Sequence, residues 1–112
     1  MKRGEIWRIN LDPSIGVEIR KTRPALILSV DAIGALPLRV VVPITGWKDK
    51  FAQATWLVRI EPDSNNNLDK PSAADAFQVR SVSEIRFVDR FGKVSATDLV
   101  RVEDAVRTVL GL

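Results

Sequence analysis

Between Glu5 and Val94 this chain never sustains an apolar repeat at steps of three and four. That property removes helical bundles and alternating strand–helix folds from consideration. What it has instead is a series of short apolar or alternating runs, broken by Pro, Gly, Asn and Asp. Glu5 to Leu11 is rich in β-branched and aromatic residues and reads as a first strand. Ala25 to Val30 is a continuous apolar run, which predicts a buried strand. Arg39 to Val42 predicts a third, closed by Pro43, a residue that belongs at a strand edge or end. Thr55 to Ile60 predicts a fourth, with Trp56, Val58 and Ile60 on one face. Ala74 to Val82 resumes strand character, and Phe87 to Val94 adds a short strand around Gly92.

Only the last segment has a helical period. Leu99, Val102, Val106, Val109 and Leu110 recur at steps of three and four. Ser95 is a good N-cap with Asp98 at the third helical position, and Gly111 is a good stop. The connections are long and polar. Asp12 to Thr22, opened by the turn former Asp12-Pro13-Ser14, reads as an exposed, mobile loop. Gly46 to Lys50 is a second polar loop. Glu61 to Ser72, with Asn65, Asn66 and Asn67, is a third, acidic where the first is basic. The expected architecture is mainly β: a small twisted antiparallel barrel capped by a C-terminal helix. At 112 residues, the expectation is one domain over 1–112, for which dimerisation is a natural way to bury more surface.

The chain has no histidine and no cysteine. Histidine acid–base chemistry, thiol nucleophiles, disulfides and imidazole or thiolate metal sites are therefore excluded. No metal site and no cofactor is expected. No apolar run approaches the ~20 residues of a membrane span, and the N-terminus has no signal-peptide core. A cytoplasmic location is the default expectation.

The net charge is +3, from 17 basic and 14 acidic side chains, and its placement says more than its size. Residues 1–24 carry Lys2, Arg3, Arg8, Arg20, Lys21 and Arg23 against Glu5, Asp12 and Glu18. The rest of the chain is balanced, so the whole excess lies near the N-terminus. Such a patch suits a polyanion, although scattered surface cations also simply keep proteins soluble. Arg23, before Pro24, and Thr45, at the tip of an apolar strand, are the candidate pair for holding a phosphate. Guanidinium matches two phosphoryl oxygens, and a hydroxyl adds one more bond. Each has a plainer rival reading, as a surface arginine at a strand start and as a turn-bonding threonine. Trp47 is either a base-stacking platform or a plug for an apolar edge. Arg80, Arg86, Arg90 and Lys93 either line a groove or form a solvated strand face.

Together these fragments resemble the MazF/PemK family of toxin endoribonucleases from toxin–antitoxin modules. The resemblance runs through Arg3-Gly4-Glu5-Ile6-Trp7, Leu11 to Ile19, Thr22-Arg23-Pro24-Ala25-Leu26-Ile27-Leu28-Ser29 and Val42-Pro43-Ile44-Thr45. It continues in Gln78-Val79-Arg80-Ser81-Val82 and in the terminal helix. The basic Arg20-Lys21-Thr22 approach and the asparagine run depart from the family pattern and bear on RNA preference. The resemblance implies an SH3-like barrel, a homodimer, and metal-independent cleavage of single-stranded RNA. It also implies a cognate antitoxin that wraps the RNA site, with operator DNA bound only together with that antitoxin. Arg23 and Thr45 match the family's catalytic pair, and Glu18, Arg20, Lys21, Thr22, Trp47, Arg80 and Ser81 are the expected RNA-binding set. In such cleavage the 2′-hydroxyl attacks the phosphorus, giving a 2′,3′-cyclic phosphate and a 5′-hydroxyl. Arg23 suits stabilisation of the charged transition state and is a donor candidate for the 5′-oxygen. Glu18 is a candidate base, with water as the other candidate. The rival class is a non-catalytic small-barrel toxin that grips a protein target, similar to the gyrase poison CcdB.

Overall fold

A computed structural model describes all residues, 1–112. Seven strands and one helix follow in the order β1 Glu5–Asn10, β2 Thr22–Ile27, β3 Leu38–Gly46, β4 Leu57–Ile60, β5 Ser72–Asp75, β6 Arg80–Ser83, β7 Phe87–Lys93 and α1 Ala96–Leu110. Single turns of 3₁₀ helix occupy Asp49–Gln53, Ala76–Gln78 and Glu84–Arg86. Every strand pairing is antiparallel, as expected for a chain without crossover helices. The sheet runs β4-β5-β3-β2-β1-β7, with β6 on β3, and it curls like a barrel without closing.

The long strand β3 organises the sheet, and it corrects the sequence reading. The expected stop at Pro43 is a change of partner. Leu38 to Val41 pair with β6, Val41 to Pro43 with β2, and Ile44 to Gly46 with β5. Proline has no N–H to donate, so it weakens one ladder, but its φ is compatible with extended backbone. The strand therefore continues past it to Gly46. The expected single strand Ala74 to Val82 is instead split. The Asp75 carboxylate accepts from the Phe77 N–H at 3.1 Å and caps a 3₁₀ turn between β5 and β6. Trp56 also departs from expectation. It precedes β4, stays 39% exposed, and rests edge-on against Phe77 with ring centroids 5.6 Å apart.

Two cores explain why β2 reads as continuously apolar. Leu26 faces the larger core, with Ile6, Val42, Ile44, Val58, Ile60 and the α1 residues Val102, Ala105 and Val106. Ala25 and Ile27 face the smaller one, with Ile9, Leu11, Val41 and Val82, covered by Trp7 and Phe87. Side chains alternate across a strand, so a strand buried on both faces needs apolar residues at every position. Full burial of one Leu or Ile contributes ~1.5–3 kcal/mol.

The ends of α1 are as expected. The Ser95 hydroxyl accepts from the Asp98 N–H at 3.1 Å, and Gly111 takes a left-handed φ of 71°. Arg3 fastens the helix to the residue just after β2 by bonding both Glu103 and the Leu28 carbonyl. At the start of β1, Glu5 is a further anchor. Burial pushes its carboxyl pKa up. The Lys2 N–H, the Trp7 indole, Arg90 and the terminal ammonium outweigh this and bring it from the ordinary 4.5 to about 2. No helix is long and apolar enough to cross a membrane.

Candidate active site

Strand register brings the two candidate residues together. Ala25 lies opposite Pro43, Leu26 opposite Val42 and Ile27 opposite Val41. Continued two residues beyond Ala25, the same register sets Arg23 opposite Thr45. Both line one cleft of about 220 Å³, with Arg8, Gly46, Asp69, Lys70 and Phe91 around them. Arg23 is exposed and donates from Nε to the Arg20 carbonyl at 3.3 Å. It makes no carboxylate pair, so most of its donors face solvent. Arg8 differs. It grips Asp89 with two bonds, Nε to Oδ1 at 2.7 Å and Nη2 to Oδ2 at 2.8 Å. That pairing holds the Asp89 carboxyl below its usual pKa and the Arg8 guanidinium above.

The loop from Asp12 to Lys21, expected to be mobile, is exposed yet bonded along its length. Within it, the Asp12 carboxylate accepts from the Lys21 N–H at 3.0 Å, and Ser14 Oγ donates to the Leu11 and Ile19 carbonyls. From outside, Gln78 accepts from the Ile19 N–H at 2.7 Å and donates to the Val17 carbonyl at 3.4 Å. Arg80 donates to the Leu11 carbonyl, and Arg86 donates to the carbonyls of Asn10 and Asp12. Gln78 is itself braced by Asp75, whose Oδ2 accepts from Nε2 at 3.0 Å. Burial raises the Asp75 pKa against the opposing pull of the Phe77 and Gln78 donors.

The remaining expected residues fall outside the Arg23/Thr45 cleft. Glu18 and Arg80 line a second cleft of about 360 Å³ with Leu11, Pro43 and Gln78. The Glu18 carboxylate accepts from the Ile15 N–H at 2.6 Å, which ties it to its own loop. Arg20 and Lys21 are exposed at the loop's end; Arg20 donates to the Gly16 carbonyl at 3.1 Å, and Lys21 takes a left-handed φ of 67°. Thr22 opens β2 opposite Asn10, and Ser81 is exposed on β6 opposite Val40. Trp47 is half-buried, edge-on to Phe51, with the Arg59 guanidinium 5.0 Å from its ring centre. Arg86 and Arg90 do not form one basic stripe: Arg86 serves the loop, and Arg90 pairs with Glu5 at 2.9 Å.

Sequence reasoning missed Arg8, Asp69 and Lys70 in the first cleft, and Gln78 as the brace of the loop. Lys70 arrives through pairing of Gly46 with Ser72, a contact between segments distant in sequence. Its only local signal was a lone cation before Pro71, at the end of an otherwise acidic loop.

Fold and cleft together define a small, curled antiparallel β-sheet protein with an arginine and a threonine facing one cleft. The profile of the PemK-like, MazF-like toxin family of type II toxin–antitoxin systems matches residues 2–110, and the chain belongs to that family. Among curated relatives, it is 32% identical to endoribonuclease MazF9 of Mycobacterium tuberculosis, over the whole chain and 98% of that protein. It is 31% identical to a probable endoribonuclease MazF of Mycolicibacterium smegmatis, with the same coverage. In fold it is similar to the crystal structure of MazF from Deinococcus radiodurans, with a TM-score of 0.82 at 24% identity, covering the whole chain and 97% of that one. It is also similar to a mycobacterial endoribonuclease in complex with its cognate antitoxin, with a TM-score of 0.78 at 21% identity, covering the whole chain and 96% of that one.

Proposed function

We propose that this chain, acting as one domain over residues 1–112, is an endoribonuclease toxin that cleaves single-stranded mRNA without a metal ion or cofactor. The observation that carries the reading is the placement of Arg23 opposite Thr45 in one cleft, with the guanidinium in no ion pair. The scissile phosphate sits against these two. Arg23 neutralises the charge that builds on the non-bridging oxygens as the 2′-oxygen attacks, and the Thr45 hydroxyl fixes one of them. Arg20 and Lys21 hold the backbone of the same strand beside it. Glu18, Thr22, Trp47, Arg80 and Ser81 contact flanking nucleotides. Glu18 lies in the neighbouring cleft, and its bond to Ile15 makes water the better candidate for taking the 2′-proton. The products are a 2′,3′-cyclic phosphate and a 5′-hydroxyl. The toxin works in the cytoplasm as a homodimer. Its cognate antitoxin covers the RNA cleft, and operator DNA is bound only through that complex.

The test is cleavage of a single-stranded RNA in EDTA, with the product ends determined. Wild type is expected to cut, leaving cyclic phosphate. Activity that returns only with Mg²⁺, or 5′-phosphate ends, would overturn the mechanism. Arg23→Ala should lose ~10²–10³ in rate with folding intact. Arg23→Lys should also be poor, because a point charge cannot make paired bonds. Thr45→Val should be damaging and Thr45→Ser mild. Near-normal rates for Arg23→Ala and Thr45→Val would remove the site assignment.

A further inference from the structure

Departure of the 5′-oxygen needs a proton, and a guanidinium is poorly suited to give one. Arginine ionises above ~12, whereas a lysine ammonium ionises near ~10.4 and releases its proton more readily. The cleft contains one lysine. We propose that Lys70 is the general acid that protonates the leaving 5′-oxygen, an assignment that rests on the endoribonuclease reading above.

Lys70 is exposed, and three observations tie it to the site. It lines the same cleft as Arg23 and Thr45. The far end of its side chain lies against Gly46, the residue after Thr45: a Cβ built on Gly46 would stand 3.2 Å from both Cε and Nζ of Lys70. The glycine thus leaves the room that the ammonium occupies. Lys70 also has no carboxylate partner, although Asp69 borders the same cleft. The backbone that carries it is fastened by two bonds. The Lys70 carbonyl accepts from Ser72 Oγ at 3.0 Å, and the next carbonyl, of Pro71, accepts from the Trp47 N–H at 3.0 Å. Arg23 arrives from β2 on one edge of β3 and Lys70 from the loop just before β5 on the other. The two cations therefore flank a phosphate seated at Thr45.

In the step, the 2′-oxygen forms a bond to phosphorus and its proton passes to water. The bond from phosphorus to the 5′-oxygen breaks, and its electron pair goes to that oxygen. Lys70 Nζ gives a proton to the same oxygen and is re-protonated from solvent. Arg23 keeps its protons throughout and acts only on charge.

The experiment uses two versions of one RNA oligonucleotide, cut at a linkage mapped beforehand with the wild-type protein. One version has the natural 5′-oxygen at that linkage and the other a bridging 5′-sulfur, which leaves without a proton. On oxygen, Lys70→Ala should fall ~10²–10⁴, the usual span for loss of a general acid. On sulfur, the same variant should come within a few-fold of wild type, which also reports that it is folded. Lys70→Arg, which retains charge, should likewise be slow on oxygen and near normal on sulfur. Arg23→Ala should be slow on both. Equal slowing of Lys70→Ala on both substrates would show that Lys70 only binds, and an unimpaired rate on oxygen would show that it is idle; either overturns the proposal. A wild-type chain that cuts neither substrate removes the endoribonuclease reading, and this proposal with it.

Discussion

Two long loops reach the cleft from opposite edges of β3; both carry internal and external bonds, but the balance between them differs. The loop before β2 carries the basic residues Arg20 and Lys21 and is braced from outside. Gln78, Arg80 and Arg86 lend it side chains from the segment around β6. The loop before β5 ends in Lys70 and is braced from within. Asn66 is fully buried there; its side-chain oxygen accepts from the N–H groups of Asp63 and Leu68, and its amide donates to the Glu61 carbonyl. Asp63 accepts in turn from the N–H groups of Asn65 and Asn66. Strand β7 closes on the same loop, with Asn67 donating to the Phe91 carbonyl and the Lys93 N–H to Asn65. The difference has a consequence for the cleft. A loop knotted around a buried amide is part of the fold, whereas a latched surface loop can shift its charges without unfolding anything.

The largest expected effect tests the inner loop. A Cβ on Gly92 would stand 2.4 Å from the Asn66 carbonyl oxygen and 2.6 Å from that of Asn65. Both are backbone atoms, so neither can swing aside. Gly92→Ala should cost about 3 kcal/mol, at the upper end of ordinary overpacking, and urea or thermal unfolding would measure it. Asn66→Ala comes next. It leaves the buried Leu68 N–H without a partner, at ~1–3 kcal/mol, while the freed Asp63 N–H and Glu61 carbonyl lie on exposed residues that water can reach. An unchanged unfolding midpoint in either variant would break the comparison, because the inner loop would then be no more structural than the outer one.

A smaller effect is expected at the outer loop. Gln78→Ala frees the Ile19 N–H and the Val17 carbonyl. Both lie near solvent, so global stability should fall by only ~1 kcal/mol. The local readout should be larger. Exchange of the Ile19 amide should speed up, while that of the Leu68 amide stays as in wild type. RNA cleavage should drop several-fold and well short of Arg23→Ala, because Arg23 takes its bearing from the Arg20 carbonyl at the end of this loop. Loss of protection at both amides would show that the two loops are one unit.

How far the sequence could be read follows from the same contrast. Where a residue's role depends on its own strand or helix, it was legible. The two-sided burial of β2 shows in Ala25-Leu26-Ile27, although the apolar run continues to an exposed Val30. The buried face of α1 shows in the spacing of Leu99, Val102, Val106 and Val109, whereas Leu110 is exposed. Arg23 and Thr45 stood out because each ends a strong apolar run or begins one. Roles that depend on a distant partner were not legible. Asn66 sits in a run that reads as solvated loop, yet it is the loop's buried centre. Lys70 reaches the cleft only because Gly46 pairs with Ser72. Pro43 looked like a stop, since proline weakens a ladder, but β3 has a different partner waiting on its other edge. Asp75 looked like part of a strand, and its side chain instead competed for the backbone and split that strand in two.

The smallest effect concerns pH and separates the loops most finely. Burial raises the Asp75 pKa above the ordinary 3.8, so the charged form is the costlier one in the folded protein. The stability contributed by this carboxyl is therefore fully present below 3.8 and is lost as pH rises through the raised folded value. The latch has the opposite sign. Asp75 Oδ1 accepts from the Phe77 N–H and Oδ2 from Gln78 Nε2; protonation neutralises the carboxylate and weakens both bonds, most of all where the proton sits on Oδ2, and so loosens the hold on Gln78. As pH falls through the raised value, the Ile19 amide should lose protection relative to the Leu68 amide, after correction for intrinsic exchange. The change should be a few-fold, in keeping with ~1 kcal/mol or less for one weakened bond. Asp75→Asn keeps only one acceptor oxygen, so it should set the ratio at its loosened value and make it independent of pH. A wild-type ratio that is already flat across this range would show that Gln78 holds the loop without help from Asp75.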